Sequence, residues 1–138
     1  MNRARLIAVV AVVVMVSFLA LFYAGGAPAQ QPGAKRTTLT KQDLTGIPGR
    51  EGVLGLTELA PGAKEPRHTH PGDLFAYVQE GTITLSMEGK PTATVKQGEA
   101  FFVPAGTIHS GENLGQTPVK LVVTFVVEKG KPLTTPVQ

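Results

Sequence analysis

His68, His70 and His109 are the only histidines in the chain, and they fall in two blocks with different surroundings. The first block reads Gly-Ala-Lys-Glu-Pro-Arg-His-Thr-His over residues 62–70. The second, residues 98–113, runs Gly-Glu-Ala-Phe-Phe-Val-Pro-Ala-Gly-Thr-Ile-His-Ser-Gly-Glu-Asn. A neutral imidazole nitrogen is the commonest side-chain ligand for a transition metal near neutral pH. Two histidines in a His-x-His pair on an extended strand point to the same side, because side chains alternate along a strand. Pro66 and Pro71 flank the pair and keep the backbone extended. His109 closes the set from a neighbouring strand, with Pro104-x-Gly106 as the tight-turn signal that sets it at that strand's start. A lone histidine commonly does no more than satisfy a local hydrogen bond. A pair plus a third in these contexts points to a metal site. No serine–histidine or cysteine–histidine nucleophile can be drawn without removing a ligand from that site.

Positioning these residues requires β structure. The segments 53–59, 74–79, 92–96, 100–103 and 119–128 read as strands. The segment 82–88 alternates, with Ile83, Leu85 and Met87 on one face and Thr82, Thr84, Ser86 and Glu88 on the other. Turn glycines recur at Gly81, Gly89, Gly98 and Gly106. Short strands with turns at this spacing predict an all-β sandwich or barrel. Residues 119–128 carry Val119, Leu121 and Val123 on one face and Val122 and Val126 on the other. A strand apolar on both faces is buried on both, so either a terminal loop or a second subunit covers its outer side. The tail, residues 130–138, is expected to lie along the surface or reach to a neighbour.

The N-terminus is of another kind. Arg3 and Arg5 precede an apolar run, residues 6–23, broken only by Ser17, and Ala27-Pro28-Ala29 follows Gly25-Gly26. This order predicts a signal peptide over residues 1–29 with cleavage after Ala29. An uncleaved membrane anchor is the competing reading, since 18 residues reach the lower limit for a span. Either way the positive charge stays inside and the domain lies outside the cytoplasmic membrane, periplasmic or extracellular. Residues 30–36 read as a linker and 37–138 as one domain. With 13 Lys+Arg, 10 Asp+Glu and a formal charge of +3, the chain loses Arg3 and Arg5 on cleavage and becomes nearly neutral. No basic run or aromatic–basic stripe is present, so nucleic-acid binding is not expected. The chain has no cysteine, so a core must hold the domain together without disulfides.

The two histidine blocks resemble the two motifs of the cupin superfamily. Gly62, His68, His70 and Gly81 match G-x5-H-x-H-x3,4-E-x6-G, and Gly98, Pro104, Gly106, His109 and Asn113 match G-x5-P-x-G-x2-H-x3-N without a gap. The resemblance implies a jelly-roll barrel, the double-stranded β-helix, holding a metal on His68, His70 and His109. The glutamate of the first motif is missing, and Leu74 stands in its place. Asp73 is adjacent and can ligate only if the Pro71-Gly72 turn shifts the strand by one residue.

Three neutral imidazoles leave a divalent ion its full +2 charge, which favours anionic ligands and acidifies bound water. Imidazole suits Fe, Zn, Ni and Cu, and Mn stays open. Three-histidine cupin sites resemble those of some thiol and diketone dioxygenases, which implies ferrous iron first. The expectation is a dioxygenase-like enzyme acting on a small organic molecule. The alternative is a non-catalytic cupin that senses or binds a small ligand anchored by the metal. Leu74, Tyr77 and Asn113 are the expected substrate-pocket residues, although Asn113 can equally cap the turn between Gly111 and Gly115. Phe75, Phe101, Phe102, Ile108, Met87 and Phe125 are expected as apolar walls. A homodimer is expected from the doubly apolar last long strand and from the resemblance.

Overall fold

The computed structural model describes residues 33–138, and these form strands and turns without a helix. The export segment expected over residues 1–29 lies outside the described residues. In chain order the strands are β1 (Ala34–Asp43), β2 (Arg50–Leu59), β3 (His68–Thr69), β4 (Gly72–Glu80) and β5 (Thr82–Met87). They continue with β6 (Ala93–Lys96), β7 (Ala100–Val103), β8 (His109–Glu112), β9 (Val119–Glu128) and β10 (Thr135–Pro136). Two five-stranded sheets result, ordered β1-β2-β9-β4-β7 and β10-β3-β8-β5-β6, and the strand pairs are antiparallel. This is a jelly-roll architecture, in which two curved sheets bury their facing sides against each other.

Strand alternation builds the interior. Val53 and Leu59 of β2, Leu74, Ala76 and Val78 of β4, and Val119, Leu121, Val123 and Val127 of β9 point inward and are buried. Ile83 and Leu85 of β5, Val95 of β6 and Val103 of β7 meet them. At about 25 cal/mol per Å² of apolar surface removed from water, these aliphatic side chains supply the main driving force for a chain without disulfides. One glycine has a steric role in this packing. A Cβ on Gly72 would stand 2.0 Å from the carbonyl oxygen of Val126, so only glycine lets β4 begin this close to β9.

Strand β1 begins at Ala34, inside the segment read as a linker. Its last nine residues are exposed, so it has no apolar alternation to announce it, yet it pairs with β2 from Ala34 to Asp43. Backbone hydrogen bonding, which sequence pattern does not display, makes it a strand. The tail also departs from a purely surface course. β10 pairs with β3, placing Thr135 opposite Thr69 and Pro136 opposite His68.

The tail therefore lies on the sheet opposite β9 and does not cover the outer face of β9. On that outer side Phe75 and Tyr77 of β4 and Phe102 of β7 are about half exposed. The rings of Phe75 and Phe102 sit 4.9 Å apart between directly paired residues. Phe75 and Phe102 thus face outward and are not cavity walls, because each is one residue out of phase with an inward neighbour, Leu74 or Phe101.

Candidate metal centre

β3, the turn after it and β8 bring the three histidines together. His68 lies directly opposite His109 in the β3–β8 pair, and His70 follows one residue after β3. All three side chains are buried. Their ring centroids are 4.3–4.8 Å apart, and their candidate ligand atoms all lie within 4.8 Å of one another.

The other side of each ring is fixed by the main chain. His68 Nδ1 donates to the Pro66 carbonyl at 2.7 Å, His70 Nδ1 to Leu133 at 2.6 Å and His109 Nδ1 to Thr107 at 2.9 Å. A carbonyl oxygen only accepts, so each Nδ1 carries a proton, and in the neutral ring Nε2 then keeps its lone pair. This is the second-sphere arrangement that orients imidazoles toward a metal and sets their tautomer. Three buried, pre-aligned neutral nitrogen donors fit a divalent transition ion.

Burial favours the neutral form of His70 and His109. Burial lowers the His70 pKa to about 3. The hydrogen bond to Leu133 opposes that shift, while His109, His68 and Arg36 add to it. His109 is also pushed down, chiefly by burial, against the hydrogen bond to Thr107. Protons therefore compete poorly for the His70 site over the ordinary pH range.

Asp73 does not belong to the centre. β4 runs in register with β9 from Gly72 to Val78, without the shift that would turn Asp73 inward. Leu74 lines the cavity instead, and Asp73 accepts a hydrogen bond from the Ala105 backbone at 3.0 Å. Tyr77 is likewise out of the pocket, on the outer face of β4 and 48% exposed. Asn113 is buried but structural. Its Nδ2 donates to the carbonyls of Leu59 (3.0 Å) and Thr117 (2.9 Å), and its Oδ1 accepts from Gly115 N at 3.0 Å. Both of its amide protons and one oxygen lone pair close the 113–117 turn and tie it to Leu59.

The cavity beside the histidines measures about 30 Å³. Leu74, Ile83, Leu85, Phe101, Leu121, Val123 and Phe125 give it an apolar wall, and Thr57, Glu65 and Arg36 add polar groups. Glu65 and Arg36 are not legible in the sequence as site residues. Glu65 precedes His68 by three positions, the wrong parity for the same face of a continuous strand, but the chain is not a strand between them. Arg36 sits in the polar strand β1 and reaches across to pair with Glu65. The carbonyl of Leu133 is equally hidden, since backbone groups leave no mark in a sequence.

Residues 55–127 match the protein family described as the cupin domain, more than half of the chain. The tetracenomycin polyketide synthase protein TcmJ of Streptomyces glaucescens is 34% identical over 94 residues, 67% of this chain and 60% of that protein. Oxalate oxidase 2 of Hordeum vulgare is 29% identical over 101 residues, 64% of this chain and 45% of that protein. Among solved structures, oxalate oxidase in complex with the substrate analogue glycolate superposes with a TM-score of 0.61 at 26% identity. That match covers 85% of this chain and 61% of the other. The chain spans about half to three fifths of the length of the curated relatives it matches.

A pH dependence follows from His70. An unfolded His70 takes up a proton near pH 6.5 and the folded one only near 3, so acidification between these values favours the unfolded chain. One such proton contributes a slope of about 1.4 kcal/mol per pH unit. In urea denaturation of the metal-free domain, stability should fall as pH drops from 6.5 to 5. His70→Gln should flatten that fall by about one proton's worth; an unchanged slope would contradict the burial account.

Proposed function

The chain belongs to the cupin superfamily, and from that premise we propose that it is a metal-dependent enzyme of the dioxygenase-like or oxidase type. Its substrate would be a small anionic or oxygen-rich organic molecule. The observation that carries this reading is the set of three Nδ1–H bonds to backbone carbonyls, which leaves three Nε2 lone pairs to converge. His68, His70 and His109 would hold the ion, iron in the first instance, with zinc, nickel, copper or manganese as the other candidates. A bound divalent ion supplies Lewis acidity and, as ferrous iron, oxygen activation. The chain's own part is to hold the rings neutral, to exclude bulk water with Leu74, Ile83, Leu85, Phe101 and Phe125, and to leave the centre without an anionic ligand from β4. Likeness to an oxalate oxidase holding a small hydroxy acid supports a small acid as substrate.

We further propose export, supported by the basic, apolar and Ala-x-Ala order of residues 3–29, and a homodimer formed through the outer face of β4, β7 and β9. The exposed Phe75, Tyr77 and Phe102 and the absence of the tail from that face support the dimer.

For the enzyme reading, elemental analysis of the untagged domain should give about one metal per chain. His70→Ala should abolish it, and the ferrous form should consume oxygen with small carboxylic acids. A metal-free wild type purified from metal-replete cells, or no oxygen uptake with any acid, counts against it. The exported protein should begin at Gln30, and an intact N-terminus would favour the anchor. Light scattering should give twice the chain mass, falling to a monomer for the double variant Phe75→Glu, Phe102→Glu. A monomeric wild type removes the dimer.

A further inference from the structure

The cavity is too small for the substrates it is meant to admit. About 30 Å³ holds one or two waters, at roughly 10–15 Å³ each, and no organic anion. Entry therefore requires one wall to move. Leu74, Ile83, Leu85, Leu121 and Val123 are at most 5% exposed and are packed in the core. Arg36 differs from them: its side chain is 37% exposed, on the edge strand β1 of its sheet, and ends at the cavity.

The guanidinium donates from Nη2 to Glu65 Oε1, its one hydrogen bond among the described residues, so the rest of the five-donor fork stays available. Glu65 is the fixed partner. Its side chain is 11% exposed, its backbone N–H donates to Gly111 O at 2.8 Å, and Lys64 beside it bridges to Glu112. Its second oxygen faces Gly111, where a Cβ would stand 3.4 Å away. A carboxylate held on a part-exposed arginine at the mouth of a cavity is an internal copy of a carboxylate ligand, since the planar fork matches any carboxylate in the same way.

We propose that Arg36 is the specificity-determining residue of this cavity and recognises short-chain carboxylates, with Glu65 as its built-in placeholder. The inference rests on the reading of the cavity as the substrate chamber. An entering carboxylate replaces Glu65 on the guanidinium, and Arg36 holds it at the mouth, its side chain turning outward far enough to make the room that about 30 Å³ lacks. The exchange keeps an anion on the arginine but unpairs Glu65, so it favours an anion over a neutral isostere while the buried Glu65 carboxylate opposes it. It also requires that the two partners act with opposite sign. Removing the arginine leaves Glu65 to repel an anion, whereas neutralising Glu65 removes the competitor.

Binding of acetate and of neutral acetamide, followed by NMR titration of the full domain in zinc-loaded and chelator-treated forms, tests this. Wild type should bind acetate at least ten-fold more tightly than acetamide. Arg36→Gln should lose ten-fold or more for acetate, Arg36→Lys should lose less, and Glu65→Gln should gain, with zinc content unchanged in each. Should Glu65→Gln fail to fold, the Gln-against-Lys comparison at position 36 and the acetate-to-acetamide ratio still decide. No acetate preference in wild type, or the Arg36→Gln and Glu65→Gln variants shifting acetate affinity in the same direction, overturns the proposal. The chelator-treated arm separates the role of Arg36 from the metal reading. Failure of wild type to hold zinc sinks the enzyme, while acetate selectivity lost only in the variants still upholds Arg36.

Discussion

Each of the three imidazoles gives its Nδ1 proton to a backbone carbonyl, and everything the cavity can do follows from that arrangement. Side-chain partners would have moved with their rotamers. Carbonyls of Pro66, Thr107 and Leu133 are instead fixed by the fold, so the rings are aimed before any ligand arrives. Two of the three bonds are local, spanning two residues each. The third spans 63 residues and joins the tail to the turn after β3. Building the site therefore requires the tail and β3 to be docked together, which the short β3–β10 pairing accomplishes.

Polarity in the barrel is divided with care. The apolar side chains around His70 and His109 raise the cost of protonating them, which is why burial dominates both lowered pKa values. Around the histidine cavity the charged groups are one opposed pair. Arg36 and Glu65 cancel at the cavity, so a divalent ion on neutral rings would be the sole net charge there. Replacing the family's glutamate by Leu74 is part of the same division, since it moves the cavity's carboxylate away from the β4 wall. Gly111 gives room chiefly to Ile83, whose Cδ1 would stand 2.9 Å from a Cβ there, with Glu65 Oε2 next at 3.4 Å.

The histidine trio is legible because metal ligation imposes both residue type and spacing, and both survive in the chain as letters. Strands β2, β4, β5, β7 and β9 are legible through alternation, which burial on one or both faces enforces. Strand β1 is not, since its residues are held by backbone pairing alone. Glu65 and Arg36 escape for a related reason: they meet across a gap between strands, where parity has no meaning. Tyr77 and Phe75 mislead because an aromatic residue in a strand reads as interior, whereas here Leu74 and Ala76 hold the inward phase. Asn113 matches its motif, yet three hydrogen bonds to the 113–117 turn and Leu59 account for it without any ligand.

The carbonyl of Leu133 gives the last residues a role out of proportion to their burial. Trimming by a carboxypeptidase, or a fusion that pulls β10 from its partner, would release one imidazole to rotate and lose its tautomeric bias while the barrel stayed folded. Retention of the ion would then report on the integrity of the chain's far end, and two preparations with identical melting curves could differ in how much metal they carry.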